Sequence, residues 1–274
     1  MAQARRREQH KEEKEQRDVA ERSAPRTPVI YEVVRLHGEE EMSRPAVSLW
    51  WSGVAAGLSI SFSLLAQGVL QAHLPQASWS ALVRDLGYPI GFVMVVLARQ
   101  QLFTENTITM VLPAMARPSL AALGTLARVW AIILAANLAG TLVAAAFCTF
   151  APVLEPHVRD AMLSIAREAM DKAPVAVFFH GITAGFLMAA MVWLLPSAES
   201  AQFFVIVAMT YLIAISGAAH IVAGSTESFL RLLDGDVGLA SAVGGYMLPA
   251  FLGNVVGGTV LFALISYAQV MKEI

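Results

Sequence analysis

The sequence predicts an all-α integral membrane protein: six transmembrane helices in an inverted 3+3 repeat, with the second and fifth helices broken. Three observations predict it. The chain is 57% hydrophobic and only 15% charged, with a mean hydropathy of +0.60, whereas a soluble domain carries about 25% charged residues. Beyond residue 44, long stretches hold no Asp, Glu, Lys or Arg: 45–83, 129–154, 173–198, 201–226 and 237–271. Each can cross a hydrocarbon core of about 30 Å, which needs ~20 apolar residues. A large soluble helical core would instead show polar faces at helical spacing, and these are missing.

The third observation is internal repetition. Trp50-Trp51-Ser52-Gly53-Val54-Ala55-Ala56-Gly57-Leu58 matches Phe178-Phe179-His180-Gly181-Ile182-Thr183-Ala184-Gly185-Phe186. Asn137-Leu138-Ala139-Gly140-Thr141 matches Asn254-Val255-Val256-Gly257-Gly258-Thr259, and Thr104-Glu105-Asn106 matches Thr226-Glu227-Ser228 more weakly. The order is the same in both halves. Three spans per half make the second half enter the bilayer from the opposite side, which places a permeation site at the midplane between the halves.

The elements follow in order. Residues 1–44 form a charged N-terminal tail, expected to be cytoplasmic; ten of the 19 Lys and Arg lie there, and no apolar signal region follows Arg5-Arg6-Arg7. Residues 45–271 form the transmembrane channel domain. Span one covers about 47–70. Span two, about 87–115, consists of two short apolar pieces around Arg99-Gln100-Gln101-Leu102-Phe103-Thr104-Glu105. Non-helical backbone at membrane depth survives only when buried in protein or lining a cavity. Span three covers about 126–150. Residues 151–173 are more polar, with Val158, Met162 and Ile165 spaced for one face of a short surface helix. Span four covers about 175–195 and is expected to stop near Pro196. Span five starts near Gln202 and is interrupted at Ser216-Gly217-Ala218-Ala219-His220, where small residues permit a break. Span six covers about 243–270. Six spans put both termini on one side, and the Arg-rich N-terminus favours the cytoplasm.

His220 is an ionisable group deep in the membrane. Such residues are costly and mark ion or proton paths. The alternative is a histidine bonded to a neighbouring helix. Asn137 and Asn254 are intramembrane amides placed to bond carbonyls freed at the breaks. Arg99, Glu105 and Glu227 are charges beside the breaks, and pairing of Arg99 with either glutamate would neutralise it. Cys148 stands alone, so no intrachain disulfide forms. Neither HExxH nor GxSxG occurs, which argues against an enzyme; no cofactor, metal site or nucleic-acid module is expected.

Leu102-Phe103-Thr104, Ser216-Gly217-Ala218-Ala219-His220-Ile221-Val222-Ala223 and Gly253-Asn254-Val255-Val256-Gly257-Gly258 together resemble the Ω-loop, central-histidine and last-helix strings of the formate/nitrite transporter family. The likeness covers about residues 45–270. It implies an aquaporin-like protomer, a homopentamer and one pore per protomer, passing small monovalent anions such as formate or nitrite. It implies His220 as the pore histidine and Thr104 as its Ω-loop partner. Leu102, Phe103, Phe92, Met188 and Ile213 fall at constriction or pore-wall positions. The chain departs from the family's pattern at Ala219, where an acidic residue is common, and at Gly224 and Gly185, where asparagines are common. Ile213 replaces an aromatic.

The expectation is a channel or permease for a small weak-acid anion in a bacterial-type inner membrane. A bare anion pays several kcal/mol or more to enter an apolar constriction. A histidine there can offer a hydrogen bond or a proton. A pore for a neutral small solute and a membrane scaffold or sensor with a closed pore are the rivals.

Overall fold

The computed structural model describes residues 25–273; the Arg-rich start of the tail lies outside the described residues. All regular structure among the described residues is helical. Helix α1, Thr27–Ser43, lies before the first span and buries Tyr31, Val34 and Gly38. It packs against later helices, and Arg35 bridges Glu32 and Glu39 one turn to either side. Arg44-Pro45 ends it, because proline disfavours helical backbone in the residue before it.

Five runs are apolar and long enough to cross a membrane: Ala46–His73, Ser80–Leu97, Leu120–Phe150, Pro174–Ile215 and Ser241–Val270. The first contains α2, Ala46–Ile60, and α3, Phe62–His73. They meet at Ser61, whose hydroxyl donates to Gly57 O at 2.8 Å, a back-bond that bends helices. The second contains α4, Ser80–Arg84, a short 3₁₀ turn and α5, Pro89–Leu97. Helical structure then stops until α6, Asn106–Thr109, and α7, Val111–Ala116. Arg99 turns the chain with a positive φ of 52°.

Helix α8, Leu120–Phe150, starts earlier than the hydropathy pattern indicates. Ser119 Oγ accepts from Ala122 N at 3.1 Å and caps it, so its first turns, with Arg128, extend the span beyond the apolar stretch. Helix α9, Pro156–Met170, buries Val158, Met162 and Ile165 against Leu64, Ala145 and Leu230.

The fourth run is 42 residues long, about 63 Å of helix if straight, twice the hydrocarbon thickness. It divides at Glu199, where φ is +34°. Helix α10, Pro174–Ala198, and α11, Gln202–Ile215, pack against each other. Pro196 sits inside α10, which ends at Ala198, close to the stop expected near Pro196. After α11 the backbone is irregular until α12, Ile221–Asp234, the most strongly two-faced of the buried helices. Helix α13, Ser241–Val270, is continuous but widened into π-helix over Ser241–Met247 and Val256–Ala263.

Helix α2 packs on α8 and α10 packs on α13 in the same manner. A side chain at Gly57 would strike the backbone of Asn137 and Gly140, and one at Gly253 would strike Phe178 and Gly181. Small residues let the helix backbones touch, the usual basis of association where lipid removes the hydrophobic drive. Ion pairs fasten α9 to the end of α12. Arg159 pairs with Asp234, and Arg167 and Arg231 reach Asp236 at 3.0 and 2.8 Å. Hydrogen bonds from Arg167 and Arg231 hold the Asp236 carboxyl below the usual carboxylate range.

Candidate functional site

Two asparagines shape the site by identical means. Asn137 Oδ1 accepts from Phe103 N at 2.9 Å, and its Nδ2 donates to Gly53 O and Gln101 O, each at 2.8 Å. Asn254 Oδ1 accepts from Ile221 N at 2.8 Å, and its Nδ2 donates to Gly181 O and Ala219 O, each at 2.8 Å. Each amide therefore serves one N–H and one C=O orphaned at a helix break and ties the break to a neighbouring helix. Unpaired backbone groups at membrane depth cost several kcal/mol each.

The same bonds fix the correspondence between the breaks. Gln101 answers to Ala219 and Phe103 to Ile221, so Leu102 answers to His220. This corrects the weaker sequence match. Thr104-Glu105-Asn106 and Thr226-Glu227-Ser228 are not equivalent: the first opens α6, while the second lies more than a turn inside α12. Two short polar triplets matched by composition alone.

His220 is the N-cap of α12. Its Nδ1 accepts from Ala223 N at 3.1 Å. A ring nitrogen that accepts carries no proton, so the single N–H of this neutral ring is on Nε2. Nε2 lies 2.7 Å from Thr104 Oγ1 and donates to it. Thr104 is held in turn, its carbonyl accepting from Thr107 Oγ1 at 2.7 Å. Phe92 meets the imidazole edge-on, with centroids 5.0 Å apart. His220 and Thr104 are 1% and 0% exposed.

Leu102, Phe103, Met188 and Ile213 are fully buried in the same core. Phe103 does not join the histidine; its ring packs on Trp130 and Phe251, with centroids 5.5 and 5.4 Å away.

A cavity approaches each break. One, of about 450 Å3, is bordered by Gln100, Gln101, Glu105 and Asn106, on both sides of Leu102-Phe103-Thr104, and by Arg99 and part of α1. The other, of about 70 Å3, is bordered by Gly217, Ala218, Gly224 and Glu227, on both sides of His220, and by Lys172. The Thr104–His220 pair thus joins the two loops that the cavities reach.

Arg99 is exposed and makes no ion pair with Glu105 or Glu227 among the described residues. Glu105 Oε1 is buried without a hydrogen-bond partner. Sequence reasoning missed Lys172 and Tyr246. Lys172 Nζ donates to Gly217 O at 3.0 Å, at the mouth of the break; in the sequence it is one more charge in a polar segment. Tyr246 explains Gly224. Any side chain at 224 would strike the Tyr246 ring, so the phenol occupies the space that a side chain there would take. Gly185 has a different cause, since a side chain there would strike the backbone of Asn254.

The family model described as formate/nitrite transporter matches residues 28–268. The chain is 41% identical over 253 residues to the inner membrane protein YfdC of Escherichia coli (strain K12), covering 92% of this chain and 82% of the relative. It is 26% identical over 243 residues to the formate channel FocA of Haemophilus influenzae, covering 79% and 84%. A solved pentameric formate channel with formate bound superposes with a TM-score of 0.71 at 18% identity, over 84% of this chain and 98% of that one. The helical fold, the membrane-length runs and the match over nearly the whole chain lead to one conclusion: this protein belongs to the formate/nitrite transporter family.

Proposed function

We propose that the chain is a channel or permease for a small monovalent weak-acid anion, formate or nitrite being the model solutes, and that the solute passes between His220 and Thr104. The observation that carries this is the 2.7 Å hydrogen bond joining the two helix breaks between the two cavities. A solute oxygen that replaces Thr104 Oγ1 meets the Nε2–H of a fixed ring, and one that replaces Nε2 meets the threonine hydroxyl. Phe92 and the buried apolar side chains around the pair keep water away, which strengthens such bonds. Lys172 at one cavity supplies an attractive charge on the approach. No covalent step is needed.

In this reading α2 with α3, α4 to α7, α8, α10, α11 with α12, and α13 make six spans in an inverted 3+3 repeat, the second and fifth being broken. The matched bonds of Asn137 and Asn254 support it. Both termini face the cytoplasm of a bacterial-type inner membrane, and α9 faces the other side. The domain division stays at residue 44, with α1 as the structured end of the tail. A homopentamer gives the exposed apolar side chains along the runs, such as Trp51, Phe147 and Phe204, neighbours or lipid.

The test is uptake of labelled formate and nitrite into proteoliposomes, with Thr104→Val and His220→Phe as comparisons. Saturable uptake by the wild type that both variants reduce supports the reading; uptake that neither variant changes contradicts it.

A further inference from the structure

The N-cap bond limits what His220 can give. Its only N–H is on Nε2, and loss of that proton would leave an imidazolate. While Nδ1 accepts from Ala223 N, the ring is a hydrogen-bond donor and not a proton source. A weak-acid anion that crosses the apolar constriction as the neutral acid must therefore take its proton elsewhere.

Glu227 stands where that would happen. It is 7% exposed, faces the smaller cavity and lies two helical turns from His220 on α12. Among the described residues no hydrogen bond or ion pair reaches its carboxyl group. Other charges around the cavity are engaged: Arg84 holds Asp85 and Glu168, each at 2.8 Å, and Lys172 is held by Gly217 O. The hydroxyl-bearing rings of Tyr88 and Tyr246 complete the titratable groups that line the cavity with it. A carboxyl buried to this degree with no partner is costly as a permanent anion, and its position suits a group that gains and loses a proton.

We propose that Glu227 is a proton-exchange residue of the pathway, and that its exchange restricts transport to the anions of weak acids. The inference rests on the weak-acid reading above. An anion drawn into the cavity by Lys172 meets protonated Glu227. The O–H bond of the Glu227 carboxylic acid breaks and an O–H bond forms on the solute oxygen, leaving a Glu227 carboxylate and a neutral acid. The neutral acid passes His220 and Thr104. The carboxylate regains its proton from hydronium at the cavity mouth. A strong-acid anion such as nitrate cannot accept the proton and is refused.

The test uses full-length wild-type, Glu227→Gln and Glu227→Asp proteins in proteoliposomes, with formate and nitrate as solutes and the outside pH stepped from neutral to acidic. Flux through protein-free vesicles is subtracted. Wild-type formate uptake should rise as the outside pH falls, and nitrate should not enter. Glu227→Gln should take up formate at least about tenfold more slowly, the scale of a lost acid catalyst, with a flat pH response. Glu227→Asp should recover the pH response. A Glu227→Gln variant with unchanged rate and pH profile overturns the inference, as does nitrate uptake equal to formate uptake. Should Glu227→Gln not assemble, Glu227→Asp decides: a shifted pH midpoint supports the role and an unchanged rate and midpoint overturns it. A wild type that takes up neither formate nor nitrite sinks the weak-acid reading itself, a result distinct from all of these.

Discussion

Thr104 Oγ1 and His220 Nε2 lie 2.7 Å apart although 116 residues separate them. Each sits beside a break in regular helix, and each break is held by an asparagine from another helix. The bond therefore joins two loops that the rest of the fold prepares independently. Removing one hydroxyl tests it. Thr104→Val keeps shape while deleting the acceptor for Nε2–H. We expect it to assemble as the wild type does, by size-exclusion chromatography in mild detergent, and to carry formate about tenfold more slowly, the size of one buried hydrogen bond of ~1.4 kcal/mol.

His220 has two structural duties, and two substitutions separate them. Asparagine is among the best N-cap residues, so His220→Asn should keep α12 capped and the protein folded. Its flux should fall while the pH profile is retained, because the titrating group is Glu227. Phenylalanine cannot accept from Ala223 N, and loss of the cap costs about 1 kcal/mol. His220→Phe should therefore melt at a lower temperature and pass no formate. Thermal unfolding and uptake assays on both variants check this.

The two asparagines should be equivalent in stability. Asn137→Ala orphans Phe103 N and Gln101 O, and Asn254→Ala orphans Ile221 N and Ala219 O. Each unsatisfied buried group costs about 1–3 kcal/mol. Both variants should unfold at markedly lower temperature than the wild type, by similar amounts. Aspartate at either position should fail as well, since it lacks the donors.

Gly224 and Tyr246 should be coupled. Gly224→Asn drives a side chain into the Tyr246 ring, and overpacking of this kind costs about 1–3 kcal/mol. Adding Tyr246→Ala should return part of the lost stability. Melting temperatures of the two single variants and the double variant measure the coupling.

The clasp between α9 and α12 should respond to acid. Asp236 is held below its usual range by Arg167 and Arg231, so the stability it adds is present above the unfolded carboxyl pKa and is lost as pH falls through the folded value. Wild type should melt above Asp236→Asn at neutral pH, and the difference should vanish in strong acid. A difference that persists in acid would contradict the pairing.

Much of this was legible in the chain. Charge-free stretches marked most of the membrane-length runs, and glycines and polar residues marked both breaks, because a bilayer punishes charge and unpaired backbone severely. What escaped depended on contacts between distant segments. The Thr104-Glu105-Asn106 match looked like a repeat, yet only the bonds of Asn137 and Asn254 define the register. Tyr246 could not be linked to Gly224, since the two meet only across packed helices. The N-cap role of His220 was equally hidden, as histidine is not a residue that announces a cap.

The central claim is that a weak-acid anion passes at the Thr104–His220 pair. Uptake of labelled formate by wild-type proteoliposomes, followed beside Thr104→Val at acidic and neutral outside pH, tests it most directly. The account predicts saturable uptake that is faster in acid and strongly reduced in the variant. Uptake no greater than in protein-free vesicles, or uptake identical in the two proteins at both pH values, would contradict it.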